Sequence, residues 1–238
     1  MARGAAAAAQ AGDPRFAPGY SFSEAAICVR LPVATLRIWA LGRTYPTASG
    51  QKRTLPMFRI ADREHRLLSF INLIEAHVLR GLRTKHDFTM HHVKVALSEL
   101  GRHDPLPHPL AFEDFLTDGA DLFIDRFGKL INLNRAGQIA MRETFIAHLE
   151  RIDRRGVAGP VRFFPFIRSE DVTGARTVSV SPRVAFGRPV IADTRITTAE
   201  IAGRVNAGET IEKVAEDFDL TAQQVTDAIL FEQQESIA

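Results

Sequence analysis

Basic side chains and one hydroxyl group form the most suggestive chemical pattern in this 238-residue chain. Arginine and lysine bind phosphate through charge-assisted hydrogen bonds, and threonine donates a hydrogen bond to phosphate oxygens or base edges. Six such residues lie near the start of the sequence: Arg30, Thr35, Arg37, Arg43, Lys52 and Arg53. Their types and spacing predict a surface that binds double-stranded DNA.

The other residues that could do chemistry form no catalytic or metal-binding set. Cys28 is the only cysteine, which excludes an internal disulfide and a cysteine zinc site. His91 and His92 are adjacent, so they point in different directions on a helix. Three aspartates permit an acidic metal site as an alternative to a hairpin with solvated carboxylates: Asp118, Asp121 and Asp125. We favour the solvated hairpin and predict no catalytic residue, no metal ion and no cofactor.

Two short helices are predicted to position the first of the basic residues. Ser21 and Glu24 have the spacing of a capping box, so the first helix should begin at about Phe22. Pro32 suits the first turn of a second helix. Apolar residues then recur at a spacing of three along one face: Val33, Leu36 and Trp39. Thr35 is expected on the exposed part of this second helix.

A hairpin, or wing, is predicted to follow the two helices. Within residues 42–60 the pair Ser49-Gly50 is a turn signal. Lys52 and Arg53 come directly after this turn. Both cations are therefore expected on the wing, where they would lie close to the phosphates of a bound duplex.

Helical and strand-like patterns alternate through the middle of the chain. A long helix is expected from Asp62 to about Leu82. A hairpin near 121–133, a helix at 135–153 and a strand-like run at 161–167 follow. This alternation predicts an α+β middle region.

The tail carries the clearest signals for the ends of helices. Short strands are expected within 178–191, around a Phe186-Gly187 turn. Three helices follow, of which the first ends at Gly208. Two capping-box pairs mark the starts of the first and third helices: Thr197 with Glu200, and Thr221 with Gln224.

These patterns predict a mainly α protein with small β-hairpins. We expect an N-terminal winged helix–turn–helix, an α+β middle region and a C-terminal three-helix, homeodomain-like bundle. The expected boundaries are a disordered leader at 1–18, the winged unit with its long helix at 19–101, the middle region at 102–170 and the C-terminal domain at 175–238.

The net charge of +2 conceals an uneven distribution of charged residues. Residues 1–66 hold ten lysines and arginines against four acids, whereas residues 196–238 hold two against nine. The basic block attracts phosphate and the acidic block repels it, so the two ends should have different partners. No run of about 18 apolar residues is present, which predicts no membrane span. The single cysteine fits a reducing cytoplasm, where we expect the protein.

Two helix–turn–helix patterns occur, near 21–39 and near 211–235, and only the first has the charge that DNA binding requires. A recognition helix enters a groove walled by phosphates, so its exposed face should be neutral or basic. Between residues 211 and 238 Lys213 is the only cation, among seven acids. We therefore predict that the second unit packs against protein.

The stretch from Tyr20 to Trp39 resembles the first helix–turn–helix of MerR-like regulators. The matching residues are Tyr20, Ser21, Glu24-Ala25-Ala26, Thr35-Leu36-Arg37 and Trp39. Arg30 stands where those proteins often have a turn glycine, and Pro32 where they have a capping serine. A left-handed Arg30 would cost roughly 1 kcal/mol relative to glycine.

The tail resembles the small domain of unknown function numbered 433. The residues that carry the resemblance are Pro182, Gly187, Pro189, Thr194, Arg195, Ile196, Gly208 and Val225. Such domains are common in VapB-type antitoxins, whose partner toxins have a PIN-like ribonuclease fold. The whole chain is similar to the longer antitoxins of this type, which have an N-terminal MerR-like domain.

This resemblance implies the antitoxin of a type II toxin–antitoxin pair, which neutralises a PIN-like toxin by direct binding and represses its own operon. The partners are then operator DNA and the toxin, and half-sites one helical turn apart predict a homodimer. Gly187, Pro189, Thr194 and Arg195 become structural or toxin-contact residues. For Arg195 we favour a structural role, in which it orders the turn before a helix by binding carbonyl groups.

Two alternatives remain at the level of the sequence. A stand-alone MerR-like regulator would have an effector-binding or oligomerisation domain at about 110–170, with a ligand pocket and no nuclease partner. An enzyme, such as a hydrolase using the aspartates of the middle region, would need a nucleophile–base pair or a metal-ligand set.

Overall fold

The computed structural model of the protein describes residues 12–47, 50–83, 108–112, 135–155, 159–167 and 174–233. Over this part of the chain the protein is mainly α-helical, with three pairs of short antiparallel strands. The helices are α1 (Phe22–Val29), α2 (Val33–Leu41), α3 (Phe70–Arg83), α4 (Pro109–Phe112), α5 (Arg135–Leu149), α6 (Thr198–Asn206), α7 (Ile211–Phe218) and α8 (Ala222–Glu232). The strands are β1 (Arg43–Thr47), β2 (Gly50–Thr54), β3 (Ile152–Arg154), β4 (Pro160–Phe163), β5 (Val178–Ser179) and β6 (Val190–Ile191). The expectation of a mainly α protein with small hairpins is confirmed.

Several expectations lie outside the described residues. They are the leader over residues 1–11, the histidines at 91 and 92, the hairpin near 121–133 and the aspartates at 118, 121 and 125.

Helix α1 begins and ends as the local sequence predicts. The Ser21 hydroxyl accepts a hydrogen bond from the Glu24 backbone N–H at 3.2 Å, and the Glu24 carboxylate accepts one from the Ser21 N–H at 2.8 Å. This reciprocal pair satisfies two N–H groups that the first helical turn leaves unpaired. The helix ends at Arg30, whose φ of 56° and ψ of 48° are left-handed. An arginine therefore occupies the strained position that favours glycine.

The hairpin of β1 and β2 follows α2 directly. Its register pairs Arg43 with Thr54 and Tyr45 with Lys52. Gly42 makes the entry to the hairpin possible: its φ is +79°, and a Cβ there would lie 2.2 Å from the carbonyl oxygen of Thr54. The wing expected after the two helices is thus present as a hairpin, whose described side chains are exposed.

Helix α3 begins later than its periodicity predicted. Instead of opening a helix, residues 62–67 form a tight turn, in which the backbones of Asp62 and Leu67 exchange two hydrogen bonds. The Asp62 carboxylate accepts hydrogen bonds from the N–H groups of Glu64 and His65, both at 2.9 Å. A short aspartate side chain that satisfies nearby backbone in this way competes with helix formation.

The start of α3 is set by a cap at Ser69. Its hydroxyl accepts a hydrogen bond from the Asn72 N–H at 3.3 Å, and the Asn72 side-chain oxygen accepts one from the Ser69 N–H at 3.1 Å. The predicted start at Asp62 was therefore wrong, because the apolar periodicity extends beyond the helix itself.

Helix α3 is the centre of the larger apolar core. Every residue from Ser69 to Leu82 is buried, and the helix packs against α1, α4, α5 and β4. Gly81 lies where α3 and α5 approach closely, since a Cβ there would be 2.8 Å from Cγ of His148. The large side chains that are fully buried in this core include Trp39, Phe70, Phe145 and Phe163.

The tail forms a second, smaller core around helices α6, α7 and α8. The predicted capping box is complete at α8, while at α6 Thr197 accepts from the Glu200 N–H without the reciprocal bond. Thr210 caps α7 through the Lys213 N–H at 3.2 Å. The buried residues of this core are Ile191, Ile201, Val214, Ala215, Val225 and Ala228. The three helices are confirmed one by one, whereas their homeodomain-like arrangement stays a prediction.

The tail is also joined to the larger core. Val178, Val180 and Phe231 belong to that core, although they are distant in sequence from α3. Val180 pairs with Phe163 through two backbone hydrogen bonds of 2.8 and 2.9 Å. Packing therefore crosses the expected boundary between the middle region and the C-terminal domain.

Residues 12–18, which we expected within the leader, also lie against the fold. The Ile71 N–H donates to the Arg15 carbonyl at 3.1 Å, and the Arg15 guanidinium donates to the Pro160 carbonyl at 3.3 Å. Asp13 holds the same guanidinium in an ion pair of 2.6 Å. The contacts of Arg15 with Ile71 and Pro160 order a segment whose composition alone suggests disorder.

Candidate nucleic-acid interface

Helix α2 has one buried face and one exposed face. Leu36, Trp39 and Ala40 are buried in the larger core. On the opposite side Arg37 is exposed, and Ile38 is 37% exposed. Thr35 is only half-buried, so its side chain remains partly accessible. The sequence-predicted Thr35 and Arg37 thus lie on the accessible part of a helix whose other face holds it rigidly to the fold.

The Arg37 side chain is steadied by an aromatic ring rather than by an acid. Its guanidinium carbon lies 5.9 Å from the centre of the Phe22 ring on α1. A cation over a ring face gains about 0.5–1 kcal/mol at an exposed site, and it keeps its charge available. Arg37 makes no ion pair with any residue that the structure describes.

The hairpin divides its cations between two faces. Side chains alternate along a strand, and directly opposed residues share a face. The pairing of Tyr45 with Lys52 therefore puts Arg43, Tyr45 and Lys52 on one face. Arg53 lies on the other face, opposite Thr44. The first face combines two cations with an aromatic ring, so it is the stronger candidate for contact with a phosphate backbone.

Arg30 is placed differently from the other predicted contacts. Its Nε donates a hydrogen bond to the Phe166 carbonyl at 2.6 Å, and its Nη2 is buried. Burial, together with the nearby charge of Arg80, lowers the pKa of Arg30 to about 10. Arg30 is therefore half-buried with its Nε already bonded, whereas Arg37 is exposed, and a DNA contact by Arg30 stays a prediction.

The two cations on the tail helices, Arg204 and Lys213, are neutralised by neighbouring acids. The Arg204 guanidinium binds Glu209 and Asp217, with Nε–Oε1 and Nη2–Oδ2 distances of 2.6 Å each. Lys213 Nζ lies 2.8 Å from Asp217 Oδ1. These two cations hold the pKa of Asp217 below its usual range. In contrast, Arg43, Lys52 and Arg53 have no ion-pair partner among the described residues, so the hairpin presents its charge to solvent.

The motif residues of the tail order the turn before α6. Gly187 has a φ of +83°, and its carbonyl accepts a hydrogen bond from the Tyr20 hydroxyl at 2.8 Å. The Pro189 carbonyl accepts from the Thr198 N–H at 3.1 Å. The Thr194 hydroxyl donates to the Ile191 carbonyl at 2.8 Å and accepts from the Ile196 N–H at 3.1 Å.

Arg195 does not take the ordering role that we favoured for it. Its side chain is exposed, and it makes no hydrogen bond or ion pair with the residues that the structure describes. The adjacent Thr194 supplies the contact that closes the turn, so the guanidinium of Arg195 is available to a partner.

Two exposed arginines were not among the predicted DNA contacts. Arg59 and Arg63 line a surface cavity of about 330 Å³ beside the end of α2, together with Ala40, Pro56, Met57, Phe58 and Ile60. Both lie just beyond the hairpin, where their basic type was visible but their nearness to α2 was not. Met57 makes this connection, since its N–H donates to the Trp39 carbonyl at 2.7 Å.

Metal ligands and the single thiol were the other candidates for chemistry in the described residues. Within them no group of three or more histidine, cysteine, aspartate or glutamate side chains could hold a metal ion. Cys28 is buried, and burial raises the pKa of its thiol to about 12, so it is an unreactive core residue. Among the described helices none is both long and apolar enough for a membrane span.

Known proteins resemble both the tail and most of the whole chain. Residues 178–231 match the family described as "Protein of unknown function (DUF433)", a span that contains β5, β6 and most of α6 to α8. Over most of its length the chain is also similar to a VapB-type antitoxin. This relative is the Mycobacterium tuberculosis protein named "Putative antitoxin VapB45", which is 28% identical over 231 residues, or 89% of this chain and 92% of the relative.

A solved structure supports the same arrangement of elements. The crystal structure of Rv2018 from Mycobacterium tuberculosis has a TM-score of 0.63 and 24% sequence identity, and the match covers 90% of this chain and 97% of that chain. The similarity to the named antitoxin, together with the family match of the tail, confirms the expected resemblance to an antitoxin of the VapB type. The MerR-like interpretation of α1 and α2 stays a prediction.

Proposed function

We propose that this protein is the antitoxin of a type II toxin–antitoxin pair. In this proposal it neutralises a PIN-like ribonuclease toxin by direct binding and represses its own operon by binding operator DNA. It has no catalytic function of its own. The observation that carries the proposal is the similarity to a named antitoxin over 89% of the chain and 92% of that relative.

The DNA-binding part of the proposal uses α1, α2 and the hairpin as a MerR-like winged helix–turn–helix. Helix α2 would enter the major groove with Thr35 and Arg37, while Arg43 and Lys52 would bind phosphates from the wing. Support comes from the exposed, unneutralised charge of the hairpin. Two copies of the chain would read two half-sites, which requires a homodimer.

The toxin-binding part assigns the remaining accessible surface to a protein. The tail has acidic helices whose cations are already paired, which disfavours contact with phosphate. A PIN-like nuclease holds Mg²⁺ with carboxylates, so an antitoxin can block it by covering that site or by offering arginine side chains to it.

Co-expression with the adjacent reading frame tests the proposal. The neighbouring gene should encode a short protein with spaced acidic residues that arrests growth when it is expressed alone. We expect this chain to restore growth and to co-purify with that protein as a stable complex. Free toxin beside intact antitoxin, with growth still arrested, would refute the proposal and favour a stand-alone transcription regulator.

A further inference from the structure

The turn between β5 and β6 has an unusual backbone. Ala185, Phe186 and Gly187 are consecutive and all left-handed, with φ values of 45°, 55° and 83°. Glycine adopts this region freely, but a bulky residue such as phenylalanine is a true outlier there. Each non-glycine residue costs about 1–2 kcal/mol in this conformation, so the turn carries strain at two successive positions.

The turn is held in this strained conformation from both sides. The buried hydroxyl of Tyr20 donates to the Gly187 carbonyl at 2.8 Å. On the other side, the Ser181 hydroxyl donates to the Val161 carbonyl at 3.0 Å, and its own carbonyl accepts from the Val184 N–H at 3.0 Å. A turn fixed in this way is rigid, because contacts from distant segments determine it.

The result of this arrangement is an aromatic ring in solvent. Phe186 is 101% exposed, whereas the next most exposed large apolar side chain among the described residues, Leu55, is 62% exposed. The ring therefore contributes nothing to the packed core. A strained backbone that presents an apolar group to water is a feature of binding and switch sites, where the strain has a function.

The charge around the ring indicates the chemistry of its partner. Arg183 and Arg188 flank the turn, are exposed, and make no ion pair with the described residues. The charge of Arg183 helps to lower the pKa of the nearby Asp13, but the Asp13 carboxylate is already bound by Arg15. Arginine is enriched among the residues that dominate binding energy at protein interfaces, and phenylalanine is enriched in interfaces generally.

A second copy of the same surface fits this chemistry poorly. A two-fold contact would bring the arginines of both copies together, and like charges facing each other cost binding energy. The occupant should instead offer carboxylates around an apolar pocket.

We propose that the turn formed by residues 183–188 is the anchor by which this antitoxin binds its toxin. Phe186 enters an apolar pocket of the toxin, and Arg183 and Arg188 pair with carboxylates at the rim of that pocket. This inference rests on the proposed function and adds to it the surface that makes the contact.

Replacement of the aromatic ring by a residue that suits the backbone gives the sharpest test. Asparagine tolerates the left-handed region, so Phe186→Asn removes the anchor while relieving strain. We expect calorimetry with purified toxin to show at least about 30-fold weaker binding, the loss typical of an interface hot spot, with an unchanged or higher Tm. The matched control Leu55→Ala also removes an exposed apolar side chain, and it should bind toxin like the unmodified protein.

The charge is tested separately by the double variant R183E/R188E. It should weaken toxin binding further as the salt concentration falls, because like charges are then less screened.

Toxin affinity within about twofold of the unmodified protein for Phe186→Asn would overturn the anchor. The anchor would also be overturned if Phe186→Asn changed operator affinity or self-association while toxin binding stayed intact. Either result would show that the turn binds another partner. Failure of the unmodified protein to bind toxin would instead refute the proposed function.

Discussion

Two arginines of the same basic block have different surroundings in the folded protein. Arg30 and Arg37 lie seven residues apart, and both belong to the basic N-terminal block. Arg30 ends α1 and donates to the Phe166 carbonyl, whereas Arg37 lies on the exposed face of α2. Charge counting assigned both to one surface, and in the folded protein Arg37 is the more accessible of the two.

The two faces of the hairpin give the first prediction. Lys52→Ala should weaken operator binding several-fold and reduce the dependence of log K on log salt by about 0.9, the value for one lost phosphate contact. Arg53→Ala should have a smaller effect, because Lys52 shares its face with Arg43 and Tyr45. Fluorescence anisotropy with a labelled operator duplex over a salt series measures both quantities.

The control for this experiment is Lys213→Ala, which removes a cation already paired with Asp217. It should leave the salt dependence unchanged. A larger effect of Arg53 than of Lys52 would show that the hairpin approaches DNA by its other face.

Two buried histidines predict how stability depends on pH. His77 and His148 lie between α3 and α5, with ring centres 5.0 Å apart. Burial lowers the pKa of His148 to about 4, and burial with the nearby His148 lowers that of His77 well below its usual range. Unfolded histidine titrates near pH 6.5, so below that pH the unfolded chain binds protons that the folded chain does not.

The free energy of unfolding should therefore be fully retained above about pH 6.5 and decrease as the pH falls toward 4. His148 alone accounts for about 2 kcal/mol between pH 7.5 and pH 5. Urea denaturation at the two pH values measures this loss. His148→Phe should reduce the dependence to the part that His77 contributes, while Gln233→Ala, at an exposed position, should leave it intact. Equal pH dependence in all three proteins would contradict the assignment to His148.

At the scale of single elements, local hydrogen bonds decide where helices start. The caps at Ser21, Thr197 and Thr221 were predictable because each uses a side chain and a backbone group three residues apart. The start of α3 was not predicted correctly, because Asp62 opens a turn that competes with the helix. Apolar spacing reports which residues are buried, and it does not report where the backbone becomes helical.

The cap of α1 gives a prediction at this scale. Ser21→Ala removes the acceptor for the Glu24 N–H and should lower the free energy of unfolding by about 1 kcal/mol. Ser23→Ala is the matched control, since Ser23 is exposed within the first turn and is not the cap. Urea denaturation should show the loss for Ser21 alone. Equal effects at the two serines would mean that the capping box does not stabilise α1.

At the scale of the whole molecule, the tail and the N-terminal elements share one core. Phe231 on α8 is 1% exposed and packs in the cluster that also contains Trp39 and α3. The bond from Tyr20 to Gly187 adds a polar link across 167 residues. We therefore expect the described parts of the chain to unfold together.

Phe231→Ala tests this coupling. Removal of a large buried ring should cost about 3–5 kcal/mol. Trp39 is the only tryptophan, so its fluorescence follows the N-terminal core while far-ultraviolet circular dichroism follows all helices. Both signals should shift together to lower urea concentration. The exposed Gln233→Ala should shift neither, and a loss of helix signal without a change in Trp39 fluorescence would show that the tail unfolds independently.

Local sequence was sufficient to predict the mainly α class, the starts of α1, α6 and α8, the hairpin after α2 and the separation of basic and acidic ends. Each of these depends on composition or on groups within a few residues of one another. The folded structure was needed to show that the Arg30 guanidinium bonds the Phe166 carbonyl, that Phe186 is exposed and that Phe231 belongs to the main core. These outcomes depend on contacts between residues far apart in the chain, whose geometry no local spacing specifies.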